Sequence, residues 1–171
     1  MRTVFAVVVG LAVAVAIACG SSSSSGTRFA ATMDGPSETP PTNSTGTGTA
    51  SFVDNGAGSM TFTVTATGLT TNWTLAHIHL GDAGTGVAGK VIADIATANG
   101  PATPPAATSG TVTGTITKPN TGVTNPTAPL GDGGTMTYDD LLTFMRNGNT
   151  YVNIHTTRFQ AGELRGQVSA Q

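Results

Sequence analysis

Three histidines stand in two short segments of a 171-residue chain. His77 and His79 lie in Leu75-Ala76-His77-Ile78-His79-Leu80-Gly81, and His155 lies in Tyr151-Val152-Asn153-Ile154-His155-Thr156. A neutral imidazole offers a lone pair, and imidazole donors suit copper, zinc, nickel and iron. Two histidines at i and i+2 on a strand share a face and can aim at one ion, at about 2.0–2.1 Å for zinc. In the first segment Ala76, Ile78 and Leu80 take one face, which leaves His77 and His79 on the other. In the second, Val152 and Ile154 face the core, with Asn153 and His155 opposite. If the two strands are neighbours, three imidazoles converge on one metal site. A ligating histidine also needs its second nitrogen fixed by an acceptor; Asp82 and Asn153 are the candidates. The competing reading is that these histidines pack and bond loops, with no ion.

Other residue patterns point away from catalysis. There is no nucleophile elbow, phosphate-binding glycine loop or Cys-x-x-Cys. The one adjacent carboxylate pair, Asp139-Asp140, sits at a helix start. Glu163 and Arg165 are two apart, so they share a strand face where opposite charges help modestly. They are expected to form a structural ion pair closing the last strand onto the sheet rather than a substrate site.

Short strands must position these groups. From Thr27 onward apolar and polar residues alternate with period two, broken by turn residues. Met60, Phe62, Val64 and Ala66 point inward between Ser59, Thr61, Thr63 and Thr65, and Asp54-Asn55-Gly56 turns this strand back from 49–53 as a hairpin. Further strands are expected over 28–33, 74–80, 90–95, 111–117, 151–156 and 164–169, with all nine prolines outside them. The fold class is therefore all-β: an antiparallel sandwich or barrel of about eight strands. One short helix of about nine residues is expected after Thr137, which with Asp140 forms a capping box; Leu141, Leu142 and Met145 give it an apolar face. Two long loops, 99–110 and 119–134, complete the outline.

The first 26 residues read as an address. Met1-Arg2 is followed by an apolar run from Val4 to Ala18, the length of a signal-peptide core and short for a membrane span. Ala16-Ile17-Ala18-Cys19-Gly20 resembles the bacterial lipobox, although Ala16 departs from the usual leucine. The expected division is a lipoprotein signal peptide over 1–18, a Ser-rich tether over 19–26 and a folded domain over 27–171. Cys19, the only cysteine, would carry the lipid that joins the protein to a membrane, facing the periplasm or the cell surface. A single cysteine permits no internal disulfide. Net charge is −2, with no Lys/Arg cluster, so nucleic acid is excluded as a partner.

Two motifs in order carry a family resemblance. Ala76-His77-Ile78-His79-Leu80-Gly81, then Gly84 and Gly86 to Gly89, are similar to the first half of the CHRD (chordin-type) domain motif. Val152-Asn153-Ile154-His155-Thr156 followed by Gly162-Glu163-Leu164-Arg165-Gly166-Gln167 resembles its C-terminal half. Gln160-Ala161 stand where the family commonly has a proline-glycine step, and the long loops are extended. The resemblance spans nearly all of 27–171 and implies an immunoglobulin-like β-sandwich or barrel. It implies an extracytoplasmic module, and a growth-factor role known in animal members does not transfer with the fold. The expected function is a lipid-anchored, non-enzymatic binding module holding copper, or else zinc, through His77, His79 and His155, with a protein or polysaccharide partner conceivable. One alternative is a structural or adhesion domain of the envelope without metal. A second is a metal oxidoreductase similar to superoxide dismutase, for which this chain has too few histidines and no disulfide.

Overall fold

The computed structural model describes residues 26–81, 89–117, 119 and 136–171. The expected leader with Cys19, the candidate Asp82 and most of the 119–134 loop lie outside these residues. Among the described residues no helix is long and apolar enough to cross a membrane.

Among the described residues the alternation seen in the sequence becomes nine strands and one helix. These are β1 (Arg28–Asp34), β2 (Thr47–Asp54), β3 (Met60–Thr67), β4 (Trp73–Leu80), β5 (Val91–Ala96), β6 (Gly110–Ile116), α1 (Tyr138–Arg146), β7 (Thr150–Thr156), β8 (Leu164–Gln167) and β9 (Ser169–Ala170). The last expected strand is split in two, because Val168 turns inward between β8 and the short β9 that pairs with β1. The strands form one antiparallel sheet in the order β5-β4-β7-β8-β1-β2-β3-β6. Its two ends approach each other, so the sheet curls into a nearly closed barrel. The Asp54-Asn55-Gly56 turn joins β2 to β3 in register, with Phe52 opposite Phe62 and Ala50 opposite Val64.

One side of each strand from β1 to β8 faces a single core. Met33, Phe52, Met60, Phe62, Val64, Ile78, Ile92, Ile95, Val152, Ile154 and Leu164 are all buried in it. Burying a large apolar side chain stabilises by roughly 1.5–3 kcal/mol, so this core holds the fold without a disulfide. Helix α1 adds Leu141, Leu142 and Met145. Its capping box forms as the sequence predicts, with Thr137 Oγ1 accepting from the Asp140 amide and Asp140 Oδ2 accepting from the Thr137 amide. Tyr138 then ties the helix to the end of β2 by donating to Asp54 Oδ1 at 3.0 Å.

The two halves of the barrel differ on their outer sides. Across β2, β3 and β6 the outward residues are exposed hydroxyls, such as Thr49, Thr63 and Thr113. Across β4, β7 and β8 the outward residues are largely covered: every residue of β7 is buried, although only alternate ones face the core, and His79 and Arg165 are buried beside a half-buried His77. The segments 35–46 and 157–163 overlie this side, as shown by their bonds to Glu163, Asn153 and His155. A second, polar layer is thus enclosed outside the barrel.

Candidate metal centre

Strands β4 and β7 are antiparallel neighbours, with Leu75 opposite His155, His77 opposite Asn153 and His79 opposite Tyr151. Ala76, Ile78, Val152 and Ile154 face the core with no exposure. The odd-numbered residues between them therefore point outward into the covered polar layer. Three imidazoles meet there. Ring centroids are 5.0 Å apart for His77 and His155, 5.7 Å for His77 and His79, and 6.4 Å for His79 and His155.

One nitrogen from each ring lies within 4.8 Å of the other two. Two nitrogens bound to a tetrahedral zinc at about 2.1 Å lie about 3.4 Å apart, so the trio would close on an ion after an inward shift of about 1 Å. The shortest separation, 3.1 Å between His77 Nδ1 and His155 Nε2, already fits.

The rings are held by the backbone. His79 Nδ1 is 2.9 Å from the Gly89 carbonyl, and His155 Nδ1 is 2.9 Å from the Gln160 carbonyl. A carbonyl can only accept, so both rings carry their proton on Nδ1 and present a bare Nε2. His79 Nε2 is buried and has no hydrogen-bond partner among the described residues. Leaving a buried acceptor unpaired costs about 1–3 kcal/mol, which an ion at this point would recover. Tyr151 fixes the same ring from one side, stacked at 4.8 Å and 11°. Its hydroxyl accepts from the Gly89 amide at 2.8 Å, and the Arg165 guanidinium covers its other face at 3.5 Å.

The electrostatics keep the lone pairs available. Burial, reinforced by the neighbouring His155, pushes His77 down to about 4 against the opposing pull of Asp94. Burial likewise lowers His79 to about 4 and lowers His155. At neutral pH all three are uncharged, the form that binds metal.

The sequence-predicted neighbours take other roles. Asn153 donates Nδ2 to Glu38 Oε1, and its Oδ1 is buried without a partner among the described residues. It therefore braces the loop after β1, while the backbone carbonyls of Gly89 and Gln160 orient the histidines in its place. Glu163 and Arg165 do share the outward side, but the expected ion pair resolves into two separate anchors. Glu163 accepts from Ser44 Oγ, Thr70 N, Thr70 Oγ1 and Thr156 Oγ1. Burial alone would raise its pKa; these donors outweigh it and hold the carboxyl below its usual range. Arg165 donates to Thr39 Oγ1 and lies over Tyr151.

Sequence reasoning missed Glu38, Tyr151 and Asp94. Glu38 sits in an irregular segment with a cis Thr39-Pro40 bond, where no period betrays a buried carboxylate. Tyr151 had a signal: it shares the outward side with Asn153 and His155. Asp94 is opposite His77 on β5, and its carboxylate lies 3.8 Å from His77 Nε2.

Comparison with known proteins fits this architecture. The sequence profile of the CHRD domain matches residues 29–168, which leaves out only Arg28 of β1 and the two residues of β9 among the strands. No curated protein and no solved structure gives a significant match to the chain.

Proposed function

The chain belongs to the CHRD domain family, and on that footing we propose that it is an extracytoplasmic binding module that holds a transition metal through His77, His79 and His155. The observation that carries this reading is the buried Nε2 of His79, unpartnered among the described residues, in a cluster where backbone carbonyls fix the Nδ1 of both His79 and His155. A packing role would not require three neutral imidazoles to face one another with a lone pair unused.

Copper is favoured over zinc. The donor set is wholly imidazole, and the affinity of such a set for divalent first-row metals peaks at copper. Three ligands leave a coordination position for water or a small ligand. The Asp94 side chain beside His77 is 34% exposed and gives solvent a route to the cluster. We infer that the module acts by binding rather than by catalysis. The leader pattern and Cys19 support export and lipid anchoring at the cell envelope.

Calorimetric titration of the purified protein with Cu(II) and with zinc tests the metal reading, with His79→Ala and His155→Ala alongside. One-to-one binding, tighter for copper and lost in both variants, is the expected result. Absence of binding by a folded protein would return the histidines to a packing role. Labelling of Cys19 by radiolabelled fatty acid in growing cells tests the anchor, and an unlabelled protein would remove it.

A further inference from the structure

The three histidines are not equivalent, and their hydrogen bonds say which nitrogen each one gives. Building on the metal reading above, we propose that the ion is held by a mixed set, Nε2 of His79, Nε2 of His155 and Nδ1 of His77, with Asp94 as the positioning residue that fixes His77.

His79 and His155 spend Nδ1–H on the carbonyls of Gly89 and Gln160, which leaves Nε2 as their only donor atom. His77 is turned the other way. Its Nδ1 faces His155 Nε2 at 3.1 Å, whereas its Nε2 faces Asp94 Oδ1 at 3.8 Å. The atom of His77 that joins the cluster is therefore Nδ1. The edge-on packing of His77 against both other rings, at 74° and 71°, keeps this orientation.

This geometry implies a change of tautomer. Without metal, His155 Nε2 can only accept, because its own proton is on Nδ1. His77 must then donate through Nδ1–H, and its Nε2 is unprotonated beside a carboxylate, consistent with a separation too long for a hydrogen bond. With metal, His77 Nδ1 and His155 Nε2 both give their lone pairs to the ion and their mutual hydrogen bond is lost. The proton of His77 leaves Nδ1 and one is carried on Nε2, where the Asp94 carboxylate accepts it. The ring stays neutral: Nε2 keeps the proton, and the Asp94 carboxylate closes up to accept its hydrogen bond. A carboxylate behind a metal-binding histidine makes the ring a stronger donor, and losing such a partner typically lowers affinity by about 10–100-fold. Register supports the assignment: Asp94 and His77 are paired residues on adjacent strands, so the carboxylate is delivered by the sheet and not by a loop.

The test is ¹⁵N NMR of the imidazoles in the purified protein, before and after loading with Cu(I) and, in parallel, with zinc, both diamagnetic. All three rings should begin with the proton on Nδ1. On loading, His79 and His155 should keep it there and His77 alone should show Nε2–H with a metal-shifted Nδ1. Asp94→Ala should weaken binding about tenfold or more and Asp94→Asn by less, since its Oδ1 still accepts. His77 retaining Nδ1–H in the loaded protein, or full affinity in Asp94→Ala, would overturn the assignment while leaving metal binding intact. A folded protein that takes up neither ion would overturn the metal reading itself, and this assignment with it.

Discussion

Acidification should separate two opposing groups of buried side chains in the polar layer. His77 and His79 have folded pKa values near 4 against an ordinary 6.5. Below pH 6.5 the unfolded chain takes up protons that the folded chain refuses until about pH 4. Their stability contribution is thus full above pH 6.5 and is lost as pH falls through that window. At about 1.36 kcal/mol per pKa unit, moving from pH 7.5 to 5 costs about 2 kcal/mol for each ring, about 4 kcal/mol together. His155 is shifted the same way by its burial and adds to the loss. Glu38 acts in the opposite sense. Burial pushes it up to about 7, against the Thr39 amide and the Arg165 charge that lower it. The folded carboxyl keeps its proton where the unfolded one, at 4.5, has released it. Its contribution is full below pH 4.5 and lost as pH rises through 7, so the same acidification returns about 2 kcal/mol. Glu38→Gln, which cannot titrate, should therefore lose at least about 4 kcal/mol between pH 7.5 and 5, and the native protein about 2 kcal/mol less. Urea denaturation of both proteins at the two pH values, without metal, measures the difference. Equal pH sensitivity of the two would refute the opposing roles. Histidine Hε1 resonances titrating near 6.5 would refute the burial argument directly.

Two further perturbations probe how the layer is closed. Gly162 has φ +136°, and a Cβ there would lie 2.4 Å from both Glu38 Oε1 and Asn153 Nδ2, so Gly162→Ala should destabilise by about 2–3 kcal/mol in urea denaturation; an unchanged midpoint would show that the loop is free to shift. Glu163→Ala strands the Thr70 amide and the hydroxyls of Ser44 and Thr156 and should cost about 3 kcal/mol or more, with faster hydrogen exchange at the Thr70 amide as the local readout; unaltered exchange there would show that water replaces the carboxylate.

The sequence by itself determined the strand pattern, because a strand places alternate residues on opposite sides. The β3 core set Met60, Phe62, Val64 and Ala66, the Asp54-Asn55-Gly56 turn and the Thr137–Asp140 capping box are local features, and each forms where its own residues indicate. The same alternation put His77, His79 and His155 on the outward side. It did not decide that β4 and β7 are neighbours. Tertiary structure alone decided what covers that side. The bond from Asn153 to Glu38, the four donors around Glu163 and the Arg165–Tyr151–His79 stack all join residues distant in sequence. Loops without periodicity deliver Glu38, Ser44 and Thr70, and a side chain's reach across such a gap leaves no spacing to read. The nitrogen assignments depend on still finer detail, since they turn on which carbonyl, Gly89 or Gln160, stands within 2.9 Å of a ring. Alternation selects the side of the sheet on which a histidine stands; the surrounding backbone selects which of its two nitrogens is left to bind.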